Sequence, residues 1–538
     1  MHAKLIWGKV KAVRWGSLRP LLLVLLFWFL PVLVFSRENY RDLEYPETWF
    51  VLFVVLAFGL ALWGVVWMML RDAFKSAVIA AILAYPLNYF YDLDTFISSN
   101  APAWILSWQP AYVLVLVVLL LLLWIGRKTK PNRFVQFTNY LLIVGLLIFL
   151  YNAVSIGDKV RGDTNLSVSA VDRDLEGLRV SDAAQKPDIY YLVFDRYTGT
   201  IGLSESYGFD NSPFLNQLKE RGFYVASQSY SNYPITPFSL ASSLNGNHLE
   251  VSGNAKTASS REPLRQLIRN ATVPKVLQEN GYHFINMGSW WGPTATSTNA
   301  DENPRYAYQI PVFGKKIQLN YVSATYFRKT ALFDLARSVP GSRLSIWTDQ
   351  RPIFLDQMDS LVSYAERRDR QPKFVFGHML APHYPYVFNK GGGMNFRKGL
   401  SKKEVYLEQL QFVNSRILRT VDALLNANPK NPPVIVLTAD EGEHPKEYFT
   451  DSDDAQLRQK TNILAAYYFP GQRYRGLYPE MTSVNALRSV LNVNLGANLP
   501  LLPDRTYTSR TRSQEYDLID ITNRIRRSPG PRGSAIGE

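Results

Sequence analysis

The stretch TADEGEH, residues 438–444, places three carboxylates and a histidine after the apolar run PPVIVL. Asp440, Glu441 and Glu443 would repel one another at the end of a buried strand unless positive charge lies among them. A divalent metal ion supplies such charge, and carboxylate and imidazole are ordinary metal ligands. The stretch is therefore a candidate metal site, with Asp440 as its principal ligand.

A second acid and a hydroxyl occupy comparable positions elsewhere in the chain. Asp195 ends the apolar run IYYLVFD, and Thr236 opens a helix in SNYPITPFSLASSLNG. A threonine that starts a helix usually caps its backbone. The same geometry places the hydroxyl at the positive end of the helix, where an anion or an activated nucleophile is stabilised.

Two histidines lie close together in FGHMLAPHYPYVFN, at a strand end and beside a Pro-Tyr turn. A threonine hydroxyl is a poor nucleophile at neutral pH unless a cation lowers its pKa or a base takes its proton. Carboxylates from two strand ends could hold a divalent ion over Thr236. His383 or His378 would then stabilise the transferring group or protonate the leaving alkoxide.

These residues require a fold that brings strand ends together. From residue 187 onward, short apolar runs alternate with amphipathic ones, which predicts an α/β domain with a largely parallel sheet. Ligands bind beyond the carboxyl ends of the strands in that architecture. The predicted strands are 189–195, 223–230, 282–288, 373–380, 433–440 and 463–471, and the predicted helices are 212–222, 238–246, 273–281 and 402–427.

The first third of the chain is a membrane-spanning segment by composition. Each apolar stretch approaches the roughly 20 residues that a bilayer requires. The five predicted spans are 20–35, 48–70, a weaker one at 74–90, 104–125 and 133–154. Eleven Lys and Arg residues flank one side of these spans and two flank the other. We therefore expect a cytoplasmic N-terminus and an exported domain after residue 155, anchored in the cytoplasmic (inner) membrane.

The predicted organisation has five parts. A basic segment, 1–19, precedes the five spans within 20–155; a linker, 156–186, leads to the catalytic domain, 187–510; and a disordered tail, 511–538, follows. Residues 289–370 are predicted to leave the sheet. The chain has no cysteine, so no disulfide or thiolate site is available. The net charge of +14 favours attraction to lipid headgroups over nucleic-acid binding.

In motif order and overall plan the sequence resembles the alkaline phosphatase and sulfatase superfamily. Within it, the chain is similar to the membrane-anchored transferases, such as lipoteichoic acid synthase and the lipid A phosphoethanolamine transferases. The resemblance implies that Asp195 is a metal ligand, that Thr236 is both nucleophile and ligand, and that Asp440 binds the metal with its neighbour. His383-Tyr384-Pro385 looks like the stretch of the synthases whose histidine contacts the phosphate.

Two positions distinguish this chain within that superfamily. The main sulfatase type needs a Cys or Ser that is converted to formylglycine, whereas the TPFSL stretch offers Thr236, so we expect phosphoryl chemistry. Relatives usually have histidine where this chain has Glu441. A carboxylate there favours Mn²⁺ or Mg²⁺, with Ca²⁺ also compatible, over Zn²⁺. Alternatively His444 supplies the imidazole that Zn²⁺ favours, or the site is weakened or lost.

The leading hypothesis is a transferase that moves a phospholipid headgroup, with phosphoglycerol preferred, to an envelope glycan or glycolipid through a phosphothreonine. His383, Tyr384 and Trp291 are the predicted substrate-binding residues. A phosphodiesterase or phosphatase would use the same residues with water as acceptor. A non-catalytic protein that binds envelope glycans through a degenerate site is the third alternative.

Overall fold

The structure is a computed structural model. It describes residues 15–40, 45–100, 110–163, 165–180, 186–306, 309–312, 315–318, 321–338, 351–395, 399–443, 445 and 448–526. The chain divides into two compact units. The helical unit comprises Met1–Arg161 and Ile310–Ser345, and the sheet unit comprises Gly162–Gln309 and Ile346–Glu538.

The helical unit begins with apolar helices that confirm the predicted membrane region. These are α1 (Trp15–Glu38), α2 (Tyr45–Leu70), α3 (Ala73–Asn88), α4 (Phe90–Asn100), α5 (Pro110–Lys128) and α6 (Pro131–Asp163). Within the described residues, four helices are long and apolar enough to cross a membrane, or five if the bent pair α3–α4 forms one span. The two helices of that pair are bent by 67°, and the weaker predicted span at 74–90 corresponds to α3, which has 16 residues. Residues 104–109 of the fourth predicted span lie outside the described part of the chain.

Close helix packing in this unit depends on small residues. The indole of Trp28 on α1 donates a hydrogen bond to the Ala80 carbonyl of α3 at 3.0 Å. A Cβ at Gly59 of α2 would lie 2.4 Å from the Trp28 ring. Glycine at 59 therefore allows α2 to approach α1 as closely as it does.

Two helices from the middle of the sequence belong to the helical unit: α13 (Tyr321–Lys329) and α14 (Ala331–Ser338). Tyr326 of α13 is 1% exposed and donates a hydrogen bond to Asn88 at 2.8 Å. Lys329 forms an ion pair with Asp92 of α4 at 2.7 Å. Residues 289–370 were predicted to leave the sheet, and they are divided between the two units. Helices α13 and α14 pack against α2, α3 and α4.

The sheet unit contains a six-stranded central sheet. Its strands are β2 (Ile189–Phe194), β3 (Tyr224–Val225), β5 (His283–Met287), β8 (Lys373–Met379), β9 (Val434–Thr438) and β10 (Ala465–Tyr468). Their order across the sheet is β3-β10-β9-β2-β8-β5. Strands β5, β8, β2 and β9 are parallel to one another, whereas β10 pairs antiparallel with both β9 and β3. This arrangement confirms the predicted α/β class with a largely parallel sheet.

Helices and smaller sheets surround the central sheet. The helices are α7 (Thr200–Gly202), α8 (Ser212–Glu220), α9 (Thr236–Ser243), α10 (Glu262–Arg269), α11 (Thr272–Glu279), α12 (Gly292–Ala295), α15 (Arg351–Glu366), α16 (Lys402–Ala427), α17 (Asp454–Thr461), α18 (Ser483–Leu495) and α19 (Thr522–Ile525). Single turns of other helix types lie at Leu203–Tyr207 and Pro470–Gln472. The paired outer strands are β1 (Leu166–Ser169) with β4 (Glu250–Gly253), β6 (Gln309–Val312) with β7 (Lys315–Gln318), and β11 (Tyr507–Thr511) with β12 (Gln514–Asp520).

Side chains alternate between the two faces of the central strands, and both faces are buried. On β2, Tyr191 and Val193 face the cluster that includes α9 and α18, whereas Leu192 and Phe194 face the cluster that includes α15 and α16. Every residue of β2 is buried. Burial on both faces explains the continuous apolar run, since parallel strands covered by helices have no polar side.

The structure differs from the predicted boundaries at both ends of the sheet unit. Helix α6 continues to Asp163, and β1 lies within residues 156–186, which the sequence analysis treated as a linker. The hairpin β11–β12 and helix α19 extend the ordered domain into the predicted tail, 511–538. In β12 only Glu515 and Tyr516 are buried, and four of its seven residues are Gln, Glu or Asp, so its composition resembles that of a tail. Residues 527–538 lie outside the described part of the chain.

A buried ion pair connects the segment after β1 to α18. Arg488 is fully buried, donates hydrogen bonds to the Pro500 and Gly246 carbonyls at 2.8 and 3.0 Å, and is ion-paired with Asp172. Asp172→Asn leaves this guanidinium buried without a counter-charge, which we expect to cost about 3 kcal/mol. Thermal unfolding of the full-length protein in detergent measures the loss. Asp174→Asn, an exposed control two residues away, should leave the unfolding temperature unchanged; equal losses in the two variants would contradict the prediction.

Candidate metal centre and nucleophile

Three neighbouring parallel strands bring the candidate ligands to one edge of the sheet. Asp195 directly follows β2, His378 lies near the end of β8, and Asp440 follows β9 by two residues. The register pairs Val193 of β2 with both His378 and Thr438. The carboxyl ends of these strands therefore end side by side, where parallel α/β sheets place their ligands.

Asp195, His378 and Asp440 form a compact buried group. Each offers a ligand atom, and the three atoms lie within 4.8 Å of one another. Asp195 Oδ1, His378 Nε2 and Asp440 Oδ2 are buried and have no hydrogen-bond partner among the described residues. Three unpaired buried atoms in one place are costly unless a cation binds them. These residues fit a divalent metal ion.

The electrostatics of this group favour a bound cation. Burial, followed by repulsion from Asp440, raises the pKa of Asp195 well above its usual value. Burial also raises the pKa of Asp440. Burial lowers the pKa of His378 to about 3, so its imidazole is neutral at physiological pH. A neutral imidazole can donate its Nε2 lone pair to a metal, so His378 is a candidate ligand, and its predicted catalytic role stays a prediction.

A hydroxyl relay holds the His378 ring. Thr294 Oγ1 lies 3.1 Å from His378 Nδ1 and 2.8 Å from Ser289 Oγ. The Trp291 ring packs edge-on against the imidazole at a centroid distance of 5.6 Å. A proton on Nδ1, donated to Thr294, leaves the Nε2 lone pair directed at the carboxylates. Ligand histidines are commonly oriented by such a contact.

Thr236 lies beside the group at the first residue of α9. Its side chain opposes the rise in the pKa of the Asp440 carboxyl, so the two groups lie close together. The side chain is partly exposed, whereas the rest of the helix is buried. The predicted nucleophile is therefore adjacent to a candidate ligand and accessible to a substrate.

Arg196 braces the turn that follows Asp195. Its φ of 59° lies in the left-handed region, which non-glycine residues rarely adopt. This conformation directs its backbone N–H to Asp440 Oδ1 at 3.2 Å, and its side chain forms an ion pair with Glu441 at 3.1 Å. One residue thus connects the ends of β2 and β9.

Glu441 lies outside the three-residue group. Its Oε1 contacts Lys460 Nζ at 2.8 Å and Arg196 Nε at 3.1 Å, and the Lys460 and Glu441 side chains are 0% and 2% exposed. Burial lowers the pKa of Lys460 to about 8. The charge that Glu441 brings to the site is therefore balanced by two protein cations, and its predicted role as a metal ligand stays a prediction.

Gly442 brings Lys460 to this position. Its N–H donates to the Lys460 carbonyl at 2.7 Å, and a Cβ at 442 would lie 2.0 Å from the Gln459 carbonyl oxygen. Only glycine allows so close an approach between this loop and α17.

Glu443 belongs to a neighbouring polar cluster and has no position in the metal group. Its carboxylate accepts a hydrogen bond from Tyr386 at 2.7 Å and pairs with Lys402 at 3.1 Å. Its N–H donates to Thr198 Oγ1 at 2.8 Å. His444, the alternative imidazole ligand, lies outside the described residues.

The loop after β8 carries His383 and Tyr384. Gln409, a buried residue of α16, donates to the Pro382 and His383 carbonyls at 3.1 and 3.0 Å and accepts from two further backbone N–H groups. His383 Nδ1 contacts the Tyr384 carbonyl, so Nδ1 carries the proton and Nε2 is the proton acceptor. Burial and the charges of Arg196 and Lys460 hold the pKa of His383 well below its usual value. Tyr384 is 60% exposed.

The structure thus brings together Asp195, Thr236, His378 and Asp440. Four further residues of this region were not predicted from the sequence: Arg196, Lys460, Thr294 and Gln409. Arg196 had a signal, because it follows Asp195 directly. The other three come from separate helices, and nothing in their local sequence connects them to this site.

Comparison with known proteins identified a family and a set of distant structures. The family model described as Sulfatase matches residues 199–523. No match was found among curated proteins. The C-terminal periplasmic domain of EcEptC from Escherichia coli is 12% identical, with 66% of this chain and 95% of that chain covered and a TM-score of 0.37. A Bacteroides thetaiotaomicron structure from work on glycosaminoglycan metabolism, BT33494S-sulf, is 15% identical, with 62% and 84% covered and a TM-score of 0.37.

Replacing Glu441 tests whether it serves as an ion-pair partner or as a ligand. Glu441→Gln removes the charge that compensates buried Lys460, so we expect a loss of about 3 kcal/mol in stability. The affinity for Mn²⁺, measured by isothermal titration calorimetry, should change by less than about threefold, because the three grouped ligands remain. Asp440→Asn is the control and should weaken Mn²⁺ binding strongly. A comparable loss of affinity in both variants would establish Glu441 as a ligand.

Replacing Thr294 tests the relay to His378. Thr294→Val keeps the shape and removes the hydroxyl, so we expect about a tenfold weaker affinity for Mn²⁺. Thr296→Val, which alters a half-buried neighbour, should bind Mn²⁺ as the unmodified protein does. Unchanged affinity in Thr294→Val would show that the hydroxyl does not orient the ring.

Proposed function

The chain belongs to the sulfatase family, and we propose that it is a membrane-bound, metal-dependent phosphotransferase. It moves a phospholipid headgroup to an envelope glycan or glycolipid through a phosphothreonine on Thr236. Phosphoglycerol is the preferred headgroup, because APHYPY resembles the synthase motif and the chain has no cysteine. The protein is placed in the cytoplasmic membrane with its sheet unit on the outer side, as the distribution of basic residues favours.

One observation carries the proposal: partly exposed Thr236 opens α9 beside Asp440, whose pKa its side chain lowers, and Asp440 belongs to the compact group with unpaired ligand atoms. The Thr236 hydroxyl does not take the alternative role of a helix cap, since α9 has Ile235 as its N-cap and no side-chain cap hydrogen bond. A non-catalytic glycan-binding protein would have no need for a nucleophile in that position.

The charges of the site suit a phosphate diester. Asp195, Asp440 and Glu441 are opposed by Arg196 and Lys460, which leaves one excess negative charge among these groups. A divalent ion bound there would lower the pKa of the Thr236 hydroxyl and stabilise charge on the phosphoryl oxygens. Two carboxylates and an imidazole are compatible with Mn²⁺, the preferred ion, and with Mg²⁺ or Zn²⁺.

In the first step Thr236 Oγ attacks the headgroup phosphorus. The new Oγ–P bond forms as the bond from phosphorus to the diacylglycerol oxygen breaks. The threonine proton passes to neighbouring Asp440 and is returned to the leaving oxygen, which yields diacylglycerol. Arg196 and Lys460 keep Glu441 neutralised, so the incoming phosphate meets less repulsion.

In the second step a hydroxyl of the acceptor attacks the same phosphorus. The acceptor O–P bond forms and the Thr236 Oγ–P bond breaks, and the proton of the acceptor hydroxyl passes through His383 to Thr236 Oγ, which restores the threonine hydroxyl. We assign His383 to this transfer because its Nε2 is the unprotonated nitrogen. Trp291 and exposed Tyr384 are the proposed contacts for the acceptor, and membrane anchoring keeps the site near its lipid donor.

The covalent intermediate provides the test. Full-length protein incubated with labelled phosphatidylglycerol and Mn²⁺ should release diacylglycerol and carry glycerophosphate on Thr236, detected by peptide mass spectrometry. Thr236→Ala should lose both signals, with diacylglycerol release reduced by about three orders of magnitude or more. Thr236→Ser should retain part of the activity, because it keeps a hydroxyl in place.

Ser239→Ala is the matched control, since it removes a buried hydroxyl from the same helix. It should keep both signals. Release of diacylglycerol by Thr236→Ala at the unmodified rate would refute the role of Thr236. Release of free glycerophosphate at the same rate with and without an added glycan acceptor would instead identify a hydrolase.

A further inference from the structure

The helical unit has a cavity of about 290 Å³ between α3, α5 and α6, and the cavity is open on one side. Its walls are Val78, Ile79 and Ile82 of α3, two aliphatic side chains of α5, and Phe134 and Phe137 of α6. The volume is close to the lower end of small-molecule pockets, roughly 300 Å³. Apolar walls favour a hydrocarbon occupant over water.

The cavity has one polar end. Thr129 and Arg133, in and just after the turn that joins α5 to α6, are the polar lining residues. The wall on α3 runs from Val78 to Ile82, about 6 Å along the helix axis at ~1.5 Å per residue. The cavity therefore has a basic turn at one end and apolar side chains along the rest of its walls.

Further basic residues surround this end. Lys75 lies in the first turn of α3, and its Nζ is 6.0 Å from the centre of the Phe134 ring. Arg127 and Lys128 end α5, and Arg133 is exposed at its charged tip. Positive charge at the rim and hydrocarbon walls within match an anionic phospholipid, whose phosphate and acyl chain have the same order.

We propose that this cavity binds one anionic phospholipid of the membrane, with an acyl chain between α3, α5 and α6 and the lipid phosphate beside Arg133. The site is distinct from the metal group, and it does not depend on the proposed transfer reaction. A zwitterionic lipid fits the walls equally well but gains less from the basic rim. Charge at the rim, not the cavity alone, therefore gives the selectivity.

Native mass spectrometry of the full-length protein in detergent tests the proposal. When phosphatidylglycerol and phosphatidylcholine are supplied in equal amounts, the complex of the protein with one lipid should contain phosphatidylglycerol more often than phosphatidylcholine. Arg133→Gln should reduce that preference about fivefold. Lys130→Gln is the matched control, because Lys130 is exposed in the same turn and does not line the cavity; it should keep the preference.

A second variant tests the acyl-chain part of the site. Ile82→Trp fills the cavity from a partly exposed position and should reduce retention of the first lipid of either type. Equal losses in Arg133→Gln and Lys130→Gln would show charge attraction spread over the whole surface and would overturn the proposal. So would the absence of any preference in the unmodified protein, or unchanged retention in Ile82→Trp.

Discussion

Repulsion among buried carboxylates is the constraint on which this sheet unit depends. Three acids at the ends of β2 and β9 cannot remain ionised together in a desolvated edge unless positive charge compensates them. The structure supplies that charge unequally. Glu441 contacts Lys460 and Arg196 through Oε1, and its Oε2 is unpaired; Asp195 and Asp440 keep unpaired atoms next to His378. Protein cations therefore compensate the charge of Glu441, whereas the group of Asp195, His378 and Asp440 is arranged for an external cation.

The balance of charge also determines how the loops are built. Lys460 reaches Glu441 because Gly442 lets the loop after β9 touch the end of α17, and Arg196 reaches it because its backbone adopts a left-handed turn. The left-handed backbone of Arg196, which costs free energy, is thus found where it positions a charged side chain. Features of this kind are typical of functional sites, where the surrounding structure holds strained residues in place.

Much of the fold could be predicted because its signals are local. Helix 402–427 was predicted with its observed bounds, since an amphipathic run follows Ser401, whose capping box with Glu404 fixes the start. The apolar runs of β2, β8 and β9 were equally clear, and their shared edge gave Asp195 and Asp440. The features that were not predicted required tertiary information. Lys460 and Thr294 come from other elements, and β12 has a polar composition that resembles a tail. Helices α13 and α14 belong to the helical unit although they lie between strands in sequence.

The position of α13 and α14 has a consequence for handling the protein. The chain crosses between its two units three times, near residues 161, 310 and 345, so a cut after the last membrane helix does not separate them. A fragment that starts at residue 162 would keep both helices and lose the surfaces that bury Tyr326, Ala331 and Phe333. Exposed apolar patches of this kind promote aggregation. A water-soluble version of the sheet unit therefore needs an internal deletion, with a short linker in place of residues 310–345.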